Sequence, residues 1–257
     1  MITAIPKVSI ITPSYNQGQF IEATIQSVLN QTYANIEYIV ADGGSTDQTM
    51  SLVEHYQAQI DVVIHEKDKG QSDAINKGLR RATGELVGWI NSDDLLYPDC
   101  VARMVQCYQR TADGAVYYGS ALDRIDADGK CTGMHSIHIP DRKHLLNYNY
   151  DIIQPGSFYP ASIVHQVGYL NEHIHYCMDL DLWLRLLTQG PIYAYADEPM
   201  AGFRIWGDSK TSTGGYRFLD DIIGVLKQNG ADSYARTLLQ ARYQRLRKRM
   251  KARLTFV

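Results

Sequence analysis

The chain has 257 residues, 45% hydrophobic and 21% charged, with a formal net charge of −3. This balance excludes a disordered, collagen-like or fibrous polypeptide, and the length allows one large α/β domain or two small ones with a substantial core. The charge is unevenly placed: Arg236 to Arg253 contains eight basic residues and no acid, so residues 1–235 carry −11, which argues against nucleic acid as a partner.

Along the first hundred residues, short β-rich runs alternate with helical patterns. Val8 to Thr12 reads as a strand, followed by Phe20, Ile21, Thr24, Ile25, Val28 and Leu29 at helical spacing. Ile36 to Ala41 is the second strand; Ser45 and Gln48 then resemble a capping box that starts a helix bearing Leu52, Val53 and Tyr56. Val62 to Ile64 is the third. Ser72 is placed to cap a helix carrying Ala74, Ile75, Leu79 and Ala82, which Gly84 ends, and Leu86 to Ile90 is the fourth strand. Four such units predict an α/β fold with a mostly parallel sheet and helices on both faces. Further on, strands are expected at Val116 to Leu122 and near Gly133 to Ile139, and helices at Asp179 to Gln189 and Tyr216 to Gln228.

In an open α/β sheet, ligands bind outside the carboxyl ends of the strands. That rule selects Pro13 to Asn16, Asp42 to Asp47, Glu66 to Ser72 and Asn91 to Asp94, segments rich in Asp, Ser, Asn and Gly. Each alone is also what a helix cap or turn looks like. No GxGxxG follows the first strand, and neither GxxxxGK[ST] nor GxSxG occurs, which removes dinucleotide, P-loop and common hydrolase readings. What stays is the acidic pair Asp93-Asp94 at a strand end. Mg²⁺ and Mn²⁺ prefer carboxylate oxygen and are commonly shared with substrate phosphates, so a diphosphate ligand fits.

In order and spacing, VSIITPSYNQ (Val8 to Gln17), IEYIVADGGSTD (Ile36 to Asp47), DKGQSDAINKGLRRATGE (Asp68 to Glu85) and WINSDD (Trp89 to Asp94) resemble the family 2 glycosyltransferases, which have the GT-A fold and use nucleotide sugars. QPGSFY (Gln154 to Tyr159), VGYLNE (Val167 to Glu172), MDLDLWLRL (Met178 to Leu186) and FRIWGDSKT (Phe203 to Thr211) extend the resemblance over residues 6–212. It implies a GT-A domain over 1–230, with a nucleotide-sugar half (1–115) and a smaller acceptor half (116–215), before a helical tail (231–257). It further implies that the backbone from Thr12 through Pro13 to Tyr15 cradles a nucleobase, that Asp42 accepts its N–H and favours uracil, and that Gly70, Gln71 and Asp73 lie near diphosphate or donor sugar. Asp94 would bind a divalent cation, Mn²⁺ or Mg²⁺, Asp93 would contact ribose or sugar, and Arg204 would steady diphosphate. Asp179 would be the base that deprotonates the acceptor hydroxyl in an inverting displacement, with Asp181 as its rival. The implied donor is a UDP-sugar and the implied acceptor a glycan or lipid-linked oligosaccharide.

Two positions depart from the family: Met178 stands where Glu is usual and Trp206 where His is usual. A sugar-binding homologue without turnover is therefore one alternative. A metal-dependent hydrolase is another, since His173 and His175 with Asp179 and Asp181 form an HxH…DxD cluster, with His135 and His138 beside it. The chain lacks the QxxRW motif and transmembrane helices of processive synthases. Met1 to Lys7 has no signal-peptide core and the four cysteines form no CxxC pair, so a cytoplasmic protein with reduced thiols is expected. In the tail, Leu239, Tyr243, Leu246, Met250 and Leu254 recur at helical spacing among the basic residues of 236–253. Such a helix either lies on an anionic membrane, at the inner face of the cell membrane, or packs on its own domain or a second subunit.

Overall fold

A computed structural model describes residues 5–254, with side chains to residue 250; Lys251, Arg253 and Leu254 of the expected tail pattern have side chains outside that range. The first strands and helices alternate: β1 (Val8–Ser14), α1 (Ile21–Leu29), β2 (Ile36–Asp42), α2 (Thr49–His55), β3 (Val62–His65), α3 (Gln71–Arg81) and β4 (Leu86–Trp89). They are followed by β5 (Leu95–Leu96), α4 (Cys100–Arg110), β6 (Val116–Gly119), β7 (Ala121–Ile125), β8 (Cys131–Ser136), α5 (Arg142–Asn147), β9 (Phe158–Pro160) and α6 (Ala161–Val167). The remainder comprises α7 (Met178–Leu186), β10 (Ile192–Ala196), β11 (Ala201–Arg204), α8 (Lys210–Thr213), α9 (Gly215–Gln228) and α10 (Arg236–Leu254).

The main sheet has seven strands in the order β10-β6-β9-β4-β1-β2-β3. From β4 through β3 the pairing is parallel, as is β10 with β6. The mostly parallel sheet expected from the sequence is thus present, with one reversed strand: β9 runs antiparallel between β4 and β6. Gly88 makes that junction possible, since a Cβ there would lie 2.6 Å from the Phe158 ring and 2.7 Å from the Ser157 carbonyl. Because β6, β9 and β10 continue the same sheet, its hydrogen bonding crosses residue 115. A smaller sheet, β5-β11-β7-β8, stands at the carboxyl edge.

All seven residues of β1 are buried, as helices on both faces require. Ile11 and Ile39 pack with α3 and α7 on one side, while Ile10 and Val40 pack with α1 and α4 on the other, the period-2 alternation of a strand covered twice.

Several boundaries differ from the sequence reading for local reasons. The Ser45–Gln48 pair does not cap α2: Asp47 Oδ1 accepts from Thr49 N–H, and Ser45 bonds to Asp42. α3 begins at Gln71, after Gly70 at φ +125, and stops at Arg81; Gly84 instead donates its N–H to Ser9 Oγ. The expected strand over 116–122 is broken at Ser120, which bonds the Ala196 carbonyl where the chain passes between sheets. His173 and His175 lie in a loop before α7. Among the described residues no helix is long and apolar enough to cross a membrane.

Candidate active site

A cleft of about 690 Å³ opens at the carboxyl edge of the sheet, between the ends of β1 and β4, the N-terminus of α3, the first turn of α7 and the segment after β11. Its size is that of a typical small-molecule site. Seven expected residues line it: Pro13, Tyr15, Gly70, Gln71, Asp93, Asp179 and Arg204. Tyr15 keeps 59% of its surface exposed at the mouth of the cleft. Beside it, Ser14 Oγ and Gln17 Oε1 are buried without a hydrogen-bond partner although both residues line the cleft. Buried orphan acceptors are rare and costly, and these two are groups a polar ring could satisfy.

Four expected residues do not line the cleft. Thr12 is fully buried with its hydroxyl on Tyr38, leaving only its backbone for the role. Asp42 is closed into its own turn: Oδ2 accepts from Gly44 N, Ser45 N and His65 Nδ1, and Oδ1 from the Ser45 hydroxyl. A base N–H therefore finds no open oxygen on Asp42, whereas Ser14 and Gln17 line the cleft with side-chain oxygens that have no partner. Asp73 accepts from Lys69 N and faces Lys77, which stabilises the first turn of α3.

The fourth is Asp94. It is 1% exposed, with Oδ1 accepting from Arg204 N at 2.8 Å and Oδ2 from Asn91 Nδ2 at 3.0 Å. Burial, and then the neighbouring Asp93, push its carboxyl well above the ordinary range. Both oxygens of Asp94, where the metal was expected, are engaged behind the cleft wall. Asp93 faces the cleft instead. Burial raises its carboxyl too, opposed by the indole N–H of Trp206, which donates to Oδ2 at 2.9 Å. Trp206 thus occupies the usual His position as a hydrogen-bond donor that cannot ligate a metal. A cation here would have one protein carboxylate, Asp93, plus oxygens of a bound diphosphate, an arrangement Mg²⁺ and Mn²⁺ accept.

Arg204 is a brace. Its guanidinium donates to the carbonyls of Asp93, Asp126 and Ala127 and lies 4.7 Å from the Phe20 ring centroid. It ties β11 to the acidic turn and fixes which aspartate faces outward. Below, Gln71 donates to Asn91 Oδ1, linking the start of α3 to the same turn. Gly70 and Gln71, at the N-terminus of α3, line the cleft, and a helix N-terminus is a position suited to an anion.

Across the cleft, Asp179 opens α7. Burial raises its carboxyl to about 6, against the Leu180 N–H bond and the nearby charge of Lys210. Its rival Asp181 is held by Arg185 Nε and Nη2 at 2.9 and 2.8 Å and does not line the cleft. The His173, His175, Asp179, Asp181 cluster therefore does not converge, and among the described residues no three His, Cys, Asp or Glu side chains form a metal-holding group. The sequence reading missed Asp68 and Lys210, both in the cleft wall. Lys210 donates to the His175 carbonyl at 3.0 Å, and burial lowers its affinity for a proton. Its place in FRIWGDSKT, six residues after the end of β11 on the segment that returns to the cleft, was the available signal.

The profile described as Glycosyl transferase family 2 matches residues 9–165. TuaG of Bacillus subtilis strain 168, named as a teichuronic acid biosynthesis glycosyltransferase, is 31% identical over 215 residues, 80% of this chain and 82% of that protein. Several curated relatives are longer, the chain spanning 67% of one and 32% of another. Among solved structures, S. aureus TarS 1-349 in complex with UDP-GlcNAc superposes with TM-score 0.69 at 17% identity over 93% of this chain and 72% of that one. A mannosyltransferase from Pyrobaculum calidifontis in complex with GDP-Man and Mn²⁺ gives TM-score 0.66 at 18% identity, over 93% and 70%. The fold is that of the GT-A enzymes.

Proposed function

The chain belongs to the family 2 glycosyltransferases, and from that premise we propose that it transfers a sugar from a UDP-sugar, with inversion, to a hydroxyl of a glycan or lipid-linked oligosaccharide. The observation that carries the reading is Asp179: a carboxyl raised to about 6, in the wall of a cleft whose other side presents Asp93 and the N-terminus of α3.

In this reading the base stacks on Tyr15, with Ser14 and Gln17 offering acceptors to its N–H. Uracil has such an N–H, and UDP-GlcNAc is the ligand bound by S. aureus TarS. The diphosphate lies against the first turn of α3, where Gly70 leaves room and the backbone N–H groups and helix dipole favour negative charge. Asp93 would hold a divalent cation, which when bound offsets charge growing on the departing diphosphate. Asp179, ionised above about pH 6, takes the proton from the acceptor hydroxyl as its oxygen attacks the anomeric carbon from the face opposite the diphosphate. That single displacement inverts the anomeric centre. Asp68 and Lys210 line the floor between donor and acceptor sides. A polysaccharide acceptor agrees with the pathway in TuaG's name, and a lipid-linked one agrees with a protein working at the inner face of a membrane.

The test is a donor screen by nucleotide release, with Mn²⁺ and with EDTA, beside Asp179→Asn. Full activity in Asp179→Asn overturns the assigned base, and indifference to EDTA overturns the cation. Tight nucleotide-sugar binding without release over a broad acceptor panel would instead identify a sugar-binding protein without turnover.

A further inference from the structure

α10 uses one face for its own domain and leaves a second apolar face outside. Ala235, Leu238 and Ala241 are buried, Thr237 bonds the Leu146 carbonyl, and Arg245 pairs with Asp220 of α9. On the opposite side, Leu239, Tyr243, Leu246 and Met250 follow one another at intervals of four, three and four, 49%, 62%, 58% and 50% exposed. Packing on the domain therefore does not account for this stripe. At 100° per residue, Arg236 and Arg247 border it on one flank and Arg242 and Arg249 on the other. Arg247 stacks on Tyr243, 5.8 Å from the ring centroid, and Arg249 on Tyr216 at 5.1 Å. Among the described residues none of these four arginines is in an ion pair.

We propose that this face of α10 docks on an anionic phospholipid bilayer. An apolar row between two rows of guanidinium groups matches the depth profile of a bilayer surface, with acyl chains beneath the stripe and phosphates level with its flanks. A second copy of the chain is the poorer occupant, since a two-fold contact through the stripe would set the two arginine rows against themselves. The charge of the rest of the chain selects the same pose: residues 1–235 carry −11 and are repelled by the surface that attracts the helix. α10 packs on α9, whose Phe218 and Ile222 line the cleft, so two helices, α10 and α9, separate the docked surface from the cleft. The docking stands on the helix alone; only its use, bringing a lipid-linked acceptor to the cleft, rests on the glycosyltransferase reading.

Flotation of the full chain with vesicles of phosphatidylglycerol and phosphatidylcholine tests this, against vesicles of phosphatidylcholine alone. Recovery with the anionic vesicles should be at least about tenfold higher, and should fall about tenfold in Leu239→Ser/Leu246→Ser and in Arg242→Glu/Arg247→Glu. Thermal melts check that both variants fold, and nucleotide release with a soluble acceptor should match the parent. Equal flotation of parent and stripe variant overturns the proposal, as does a folded parent that does not float. So does a dimer in sedimentation equilibrium that the stripe variant abolishes. Loss of nucleotide release in the parent would bear on the catalytic reading and leave the docking result standing.

Discussion

The two ends of the parallel sheet bury carboxylates in opposite ways. At the amino end, Glu37 at the start of β2 accepts from Ser9 Oγ, from Thr83 N at 2.7 Å and Oγ1 at 2.6 Å, and from Lys7 Nζ at 3.0 Å. Burial alone would raise its carboxyl, but these four donors outweigh it and hold Glu37 at about 2. At the carboxyl end, Asp94 is buried and Asp93 and Asp179 are half-buried in the cleft wall with fewer donors, so desolvation raises all three, Asp179 to about 6. A satisfied buried carboxylate strengthens the fold. A less satisfied one at a cleft is a charge the fold bears at a cost and a ligand or substrate can use.

If this contrast holds, Asp179→Asn should lower nucleotide release by about a thousandfold while the melting temperature stays level or rises, because a penalised charge is removed. A matching loss of activity and stability would break the contrast. At the other end, Glu37→Ala should cost about 3 kcal/mol in urea unfolding and leave the KM for donor unchanged. Asp93→Asn should lower release by about a hundredfold and abolish its response to Mn²⁺, checked by titrating the metal. The two ends should also have opposite pH slopes. Glu37's contribution is complete above its ordinary 4.5 and is lost as pH falls towards about 2, whereas ionisation of Asp179 removes stability as pH rises from 3.8 through about 6. The catalytic counterpart is kcat/KM falling about tenfold per pH unit below about 6, a limb that should disappear in Asp179→Asn. The smallest effect is expected for Gln17→Ala, about a tenfold rise in donor KM at unchanged kcat.

The strands β1, β2 and β4 were legible because strands covered on both faces read as largely apolar runs, and the half-buried edge strand β3 was legible from its Val-Val-Ile run. Asp179 could also be separated from Asp181 by sequence, since Arg185 stands four residues beyond Asp181 on the same face of α7. Asp93 and Asp94 could not be separated that way. Which one faces the cleft is decided by the backbone N–H of Arg204, 110 residues away. The closure of Asp42 was not legible for a local reason, a Gly-Gly-Ser turn that folds back onto its carboxylate. α4 carried its signal in Val101, Met104, Val105 and Tyr108, all on the buried face. β9 carried almost none, because three residues are too few for a period to appear.

That three-residue strand also sets a schedule for synthesis. β4 ends at Trp89, and its outer neighbour begins only at Phe158. A ribosome adding roughly 5–20 residues per second leaves the growing polypeptide with a bare strand edge for several seconds. Such an edge invites pairing with other chains. The protein is thus most prone to aggregate while half made, and a fragment ended at residue 115 would keep that adhesive edge permanently.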